Sequence, residues 1–127
     1  MKFTIPRDKW LRGEGGLVSR LLRPRDGKMC CLGHFGLACG LSSEMIEDRS
    51  NPIEIITDIN PPDAWTQKNN NSAFLFASFR DSLNFPLSTD CSTLMEVNDD
   101  KSISDEDRER AIVNIFSAHE IEVEFTS

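Results

Sequence analysis

The amino-acid sequence predicts a single α+β domain over residues 1–127, with several helices packed on a small sheet that includes the N- and C-terminal strands. Three observations support this prediction. The length of 127 residues suits one hydrophobic core. Apolar residues recur at helical spacing in several internal segments. Near both ends of the sequence they alternate with polar residues, as in half-buried strands.

The N-terminal part begins with a predicted strand and continues into a predicted helix. Residues 2–5 place alternate apolar side chains on one face, and Pro6 ends that strand. The apolar run 29–39 follows a glycine turn and favours a tightly packed helix. Gly40 is placed to end this helix, because glycine readily adopts the left-handed conformation of a C-terminal cap.

The middle of the sequence combines short elements with polar connections. A second, shorter helix is predicted at 41–48, where serines precede a glutamate. β-Branched residues predict a short strand or extended segment at 53–57. The polar run 67–71 is the best position for a soft joint, and apolar spacing predicts a further helix at 72–83.

The last third of the sequence predicts two helices and a strand. Ser88 or Thr89 caps the first helix. Ser104 is placed to cap the second, because three acidic residues follow it in the first turn. Residues 120–125 alternate strictly between glutamate and large apolar residues, which predicts a strand with one buried and one solvated face. We expect this strand to pair with residues 2–5.

Charge is distributed unevenly along the sequence. Residues 1–28 carry eight basic and three acidic side chains, whereas residues 90–127 carry three basic and eleven acidic ones. The net charge of −7 argues against direct binding to nucleic acid, because phosphate contacts need clustered lysine and arginine. The acidic C-terminal third instead suits a basic protein partner.

The sequence gives no indication of export or of membrane insertion. The N-terminus lacks the apolar core of a secretory signal, and the apolar run 29–41 is shorter than the ~20 residues that a membrane span needs. We therefore expect a cytoplasmic protein whose four cysteines are reduced. No cofactor is expected, and the oligomeric state stays open.

Residues 28–40 hold the side chains best suited to chemistry. This segment contains three of the four cysteines and one of the two histidines. One hypothesis is a zinc site formed by Cys30, Cys31, His34 and Cys39. Their spacing lacks the two ligand pairs of the recognised structural zinc sites, which argues against it.

A second hypothesis is a thiol-dependent hydrolase or transferase. A cysteine at the start of a helix, after a basic residue, has its thiolate stabilised by charge and by the helix dipole. Cys30 and Cys31 fit that description. His119, between the last helix and the last strand, is the candidate partner. No third residue that would orient the histidine is evident.

The third interpretation is structural, and the sequence favours it. Gly33, Gly36 and Ala38 give the helix a face of small side chains, and buried free cysteines behave as small hydrophobes. Glycine inside a helix costs about 1 kcal/mol relative to alanine. A requirement for close packing is the simplest reason to retain it.

The leading functional hypothesis concerns the acidic residues of the last helix and strand. They are Glu106, Glu109, Glu120, Glu122 and Glu124. Exposed carboxylates dock a basic partner through complementary charge. We therefore predict a non-catalytic protein-binding module, with the thiol enzyme and the zinc protein as alternatives.

Short stretches of the sequence resemble small uncharacterised proteins of phage and prophage type. These stretches are Gly-Lys-Met-Cys-Cys-Leu-Gly at 27–33, Ala-Cys-Gly at 38–40, and Ser-Asp-Glu-Asp-Arg-Glu-Arg at 104–110 with Glu-Ile-Glu-Val-Glu-Phe at 120–125. The resemblance implies an accessory or inhibitor protein from a mobile element, one that binds a host or rival protein. It transfers no catalytic residue.

Overall fold

A two-stranded parallel sheet joins the start of the chain to its last residues. The computed structural model describes residues 2–52 and 89–127. Strand β1 (Lys2–Pro6) pairs in parallel with strand β2 (Glu122–Thr126). The predicted α+β fold and the inclusion of both terminal strands in the sheet are therefore confirmed.

Four helices accompany the sheet in the described residues. They are α1 (Cys31–Ala38), α2 (Ser43–Ile46), α3 (Thr89–Asp99) and α4 (Asp105–Ser117), and a 3₁₀ turn (Arg7–Lys9) follows β1. Helix α1 lies within the predicted run, and Gly40 beyond it has φ of +101°. The predictions for 53–57, 67–71 and 72–83 concern positions outside the described residues. Within the described ranges, no helix is both long and apolar enough to cross a bilayer.

Serine side chains cap the N-termini of two of the helices, as predicted. The hydroxyl of Ser104 accepts a 3.1 Å hydrogen bond from the backbone N–H of Asp107 in the first turn of α4. The hydroxyl of Ser42 accepts one from Met45 in the same way. Each bond satisfies a backbone donor that has no partner within its own helix.

Three phenylalanines join the sheet to α1 and α4. Phe3 of β1 lies 5.6 Å from Phe35 of α1 and 5.2 Å from Phe116 of α4, measured between ring centroids. The rings of Phe35 and Phe116 are 5.5 Å apart. All three side chains are buried, and the tilted and edge-on geometries are those that aromatic pairs prefer. This triangle is the centre of the core.

The absence of a side chain at Gly33 lets the backbone of Leu21 approach α1 closely. A Cβ atom built on Gly33 would lie 2.8 Å from the carbonyl carbon of Leu21 and would overlap the oxygen of that carbonyl. The backbone of Leu21 is held in place, because its N–H donates to the carbonyl of Arg49 at 2.7 Å. The close-packing interpretation is therefore confirmed at this position.

Asn98 connects α3 to the start of α1. Its Oδ1 accepts hydrogen bonds from the indole N–H of Trp10 (2.9 Å) and from the backbone N–H of Cys31 (3.1 Å). Its Nδ2 donates to the carbonyl of Leu11 (3.0 Å) and to Asp99. The side chain is only 1% exposed, so this one amide supplies partners for several buried polar groups.

Candidate functional site

The thiols of the cysteine-rich segment lie in the core. Cys30 precedes the first turn of α1 and Cys31 is its first residue, while Cys39 follows its last residue. These side chains are 6%, 0% and 6% exposed, respectively. Cys91 of α3 is buried as well, and all four cysteines are free thiols. Helix α1 therefore directs its thiols into the core and away from solvent.

Burial suppresses the reactivity that the thiol-enzyme hypothesis requires. Loss of water raises the pKa of Cys30 to about 12, although backbone N–H groups of Gly33 and Leu32 lower it. Burial also raises the pKa of Cys31 well above its ordinary value. The start of the helix does favour the thiolate of Cys30, as expected from its position, but the cost of removing that thiolate from water is larger.

His119 has a carboxylate partner. Its Nε2 lies 2.7 Å from Oδ2 of Asp90, so the pair joins the end of α4 to the first turn of α3. The hypothesis from the sequence paired His119 with Cys30 or Cys31. The contact of His119 with Asp90 is better explained as a structural hydrogen bond that joins α4 to α3.

His34 has a structural environment. It is 6% exposed, and its Nε2 lies 3.3 Å from the carbonyl oxygen of Lys9, to which it donates when this nitrogen carries the proton. Burial lowers the pKa of the imidazole, which favours the neutral form. Among the residues described, no group of three or more histidine, cysteine, aspartate or glutamate side chains is arranged to hold a metal ion.

The buried thiols lead to a first prediction. A pKa of about 12 leaves about one thiol in 10⁵ ionised at pH 7. We therefore expect Cys30 in the native protein to react with a thiol-specific reagent far more slowly than free cysteine does. Kinetics followed by mass spectrometry would identify each labelled residue. In denaturant, all four cysteines should react rapidly, which provides the control. Native labelling of Cys30 or Cys31 at the rate of free cysteine would restore the enzyme hypothesis.

The acidic residues predicted to bind a partner fall into separate places. Glu109 accepts two hydrogen bonds, of 2.8 and 2.9 Å, from the guanidinium of Arg7, and its side chain is 20% exposed. Glu106 lies in the first turn of α4 and pairs with Arg110. Glu120 lies beyond the other end of that 13-residue helix, ~20 Å away along its axis. The set is therefore not one continuous surface.

Three of these residues do form a continuous row, which we call the glutamate row: Glu120, Glu122 and Glu124. All three are exposed, whereas the intervening Ile121 and Val123 are buried. The Nζ atom of Lys2 lies 3.9 Å from Oε1 of Glu122 and 3.1 Å from Oε2 of Glu124. Strand β2 begins at Glu122, so the predicted strand was wrong at Glu120, which lies in the turn before it; the predicted alternation of exposure is confirmed from Glu120 to Glu124, whereas Phe125 is only partly buried. In the described residues, Lys2 pairs with two of the three carboxylates, and Glu120 lies in no ion pair.

A groove of about 330 Å³ runs beside the glutamate row. Its lining residues are Val113 and Ser117 of α4 together with Glu120, Ile121, Glu122 and Val123. None of these residues belongs to β1, so the groove lies between the C-terminal half of α4 and the start of β2. This groove is not evident from the sequence. The only indication of the groove in the sequence is that Val113 and Ser117 lie one helical turn apart, each directly after a buried residue of α4.

Glu120 adopts a backbone conformation that normally favours glycine. Its φ is +61°, in the left-handed region. The N–H of Glu120 donates to Ser117, and that of Ile121 donates to Phe116, which is the hydrogen-bond pattern of a Schellman cap. Helix α1 ends with the same pattern, but with Gly40 at the left-handed position. A charged residue where glycine fits better is a reason to look for a role of its side chain.

No protein-family model, curated protein or solved structure matches the chain. The function is therefore inferred from the geometry of the glutamate row and of the groove beside it.

Proposed function

We propose that this protein is a non-catalytic protein-binding module that engages a basic partner through the glutamate row. The observation that carries the proposal is the exposure of Glu120, Glu122 and Glu124 at alternate positions, where Lys2 is paired in the described residues with Glu122 and Glu124 only. Excess negative charge on a protein surface attracts a basic surface and accelerates the encounter.

Two of the five glutamates predicted to bind a partner, Glu106 and Glu109, lie outside the proposed surface. The charge of Glu109 is already paired with Arg7 through two hydrogen bonds, and its side chain is partly buried. Glu106 lies at the far end of α4 and shares Arg110 with Asp107. The proposal therefore uses the glutamate row and not the whole acidic set.

The buried thiols support a non-catalytic role. A nucleophilic cysteine needs both ionisation and access to a substrate, and Cys30 has a raised pKa and 6% exposure. The resemblance to phage and prophage accessory proteins adds the proposal that the partner is a host or rival protein and that binding inhibits it. The cytoplasm is the proposed compartment.

Affinity capture tests the proposal. The immobilised protein is incubated with host lysate at about 0.1 M and about 1 M salt, where the Debye length falls from ~10 Å to ~3 Å. We expect capture of a specific protein at low salt and its loss at high salt. The triple variant Glu120→Gln, Glu122→Gln and Glu124→Gln should weaken capture about fivefold, corresponding to about 1 kcal/mol.

A matched variant separates the glutamate row from net charge. Glu44→Gln, Glu47→Gln and Glu96→Gln also remove three negative charges, from exposed positions outside the row. This control should capture the partner as the unmodified protein does. The proposal is wrong if both triple variants lose capture equally, or if capture does not depend on salt.

A further inference from the structure

The outer edge of β2 is available for pairing in the part of the chain that the structure describes. Strand β2 pairs with β1 along one edge, and the described sheet contains only these two strands. An edge strand presents backbone N–H and C=O groups that an added strand can bind. The groove lined by Val113, Ser117 and Val123 lies where α4 meets the start of β2.

The groove combines an apolar floor with an acidic rim. Val113 is partly exposed and contributes most of the apolar surface, because Ile121 and Val123 are 1% and 6% exposed, while Glu120 and Glu122 contribute carboxylates. Within the described residues, Glu120 lies in no ion pair, whereas Glu122 shares Lys2 with Glu124. In the described part of the chain, this edge of β2 therefore presents backbone groups, and the groove near it presents a small apolar surface and carboxylates of which only Glu122 has a cation partner, Lys2.

We propose that an extended, basic segment of a partner protein adds to the outer edge of β2 as a further strand. Its backbone pairs with β2, its lysine or arginine side chains face Glu120 and Glu122, and its alternate β-branched side chains enter the groove. Strand addition gains affinity from the backbone and specificity from alternate side chains. This inference rests on the proposed binding function, to which it adds the mode of binding and the chemistry of the partner.

Charge argues against a second copy of this chain as the occupant. Pairing β2 with β2 of another copy would bring two glutamate rows together, and like charges opposite one another destabilise a strand pair. A basic segment removes that repulsion. The left-handed conformation of Glu120 agrees with this argument, since a glycine would satisfy the backbone there but would provide no carboxylate.

A synthetic peptide of about ten residues that alternates lysine and valine is a direct probe. On addition of this peptide to the ¹⁵N-labelled full-length protein, we expect changes in amide chemical shifts at Glu120–Thr126 and at Val113 and Ser117. A peptide that alternates glutamate and valine should not bind. Methylation of alternate backbone nitrogens on the lysine peptide should weaken its binding about tenfold, because it removes donors without changing charge.

Glu120→Gly separates loss of binding from loss of fold. The substitution relieves the left-handed backbone and removes the carboxylate, so Tm should rise by about 3–6 °C while the peptide binds several-fold more weakly. Glu44→Gln, which removes one charge from an exposed position on α2, should change neither. A general charge effect would weaken binding equally in both variants and would overturn the inference.

The remaining outcomes also decide the question. Shifts away from β2, equal binding of the N-methylated peptide, or no binding of the lysine peptide would each reject strand addition. Shifts at the β2 edge that change on dilution without peptide would indicate a second copy. If lysate capture depends on the glutamate row but the peptide fails, the binding function survives and only its strand mode is wrong.

Discussion

Replacing Asn98 with alanine is expected to lower the free energy of unfolding by about 3–5 kcal/mol. The substitution removes the acceptor for the indole N–H of Trp10 and for the backbone N–H of Cys31, and the donor for the carbonyl of Leu11. Each polar group left buried without a partner costs about 1–3 kcal/mol. The protein cannot readily hydrate the gap, because the side chain of Asn98 is 1% exposed.

Urea denaturation measures this loss, and thermal denaturation should show Tm falling by about 10–20 °C. The matched control is Asn114→Ala on the exposed side of α4, which should change stability by less than about 0.5 kcal/mol. Equal stability of the two variants would mean that the Asn98 hydrogen bonds contribute little.

The second large effect is expected for Gly33→Ala. Alanine is the better helix former by about 1 kcal/mol, so helix propensity alone would make this substitution stabilising. The contact with the backbone of Leu21 reverses the sign, because the added methyl group would overlap the carbonyl of this residue, whose own N–H is hydrogen-bonded to Arg49. We expect a net loss of about 3 kcal/mol or more.

Gly16→Ala is the matched control, since Gly16 has no positive φ and, among the described residues, its Cβ would meet only a carboxylate oxygen of Asp99, at 3.9 Å. That variant should be neutral or more stable by up to about 1 kcal/mol, through reduced freedom of the unfolded chain. Thermal denaturation of both variants gives the comparison. A Gly33→Ala protein with raised Tm would show that the Leu21 backbone moves aside easily.

Periodicity along the sequence predicted the described elements well. The alternation before Pro6 and that after Glu120 became β1 and β2, and Ser104 caps α4 as expected. Gly40 ends α1 in the predicted left-handed conformation. These features depend on residues within one or two turns of each other, so a local pattern contains the necessary information.

The contacts between distant segments were not predictable in this way. The sequence placed Glu109 on a docking surface, but its partner Arg7 lies 102 positions away and neutralises it. Asn98 follows Cys91, Leu94 and Met95 at helical spacing, as an apolar residue would, and its partner Trp10 lies 88 positions away. Arg108 is 2% exposed, and its guanidinium donates hydrogen bonds to the backbone carbonyls of Asp100 and Ile103. Its spacing of four from Ile112 was the one signal of burial.

The candidate site was predictable in part. Alternation identified Glu120, Glu122 and Glu124 as solvent-facing, since each follows or precedes a buried apolar residue. The groove beside them depends on how α4 crosses β2, and a pattern within either element does not fix that crossing. The left-handed conformation of Glu120 was hidden for a further reason: glutamate gives no signal of a helix cap, whereas Gly40 does.

The parallel pairing of β1 with β2 has a consequence for the order of folding. Phe3 and Val123 are partners about 120 positions apart, so closing the sheet brings together two segments separated by nearly the whole sequence. Contacts of such separation slow folding relative to local helix formation. During synthesis, β1 leaves the ribosome long before β2 exists, so Phe3 can meet Phe35 of α1 well before it meets Phe116 of α4. We expect α4 to form early and the strand pair to be the last structure to close.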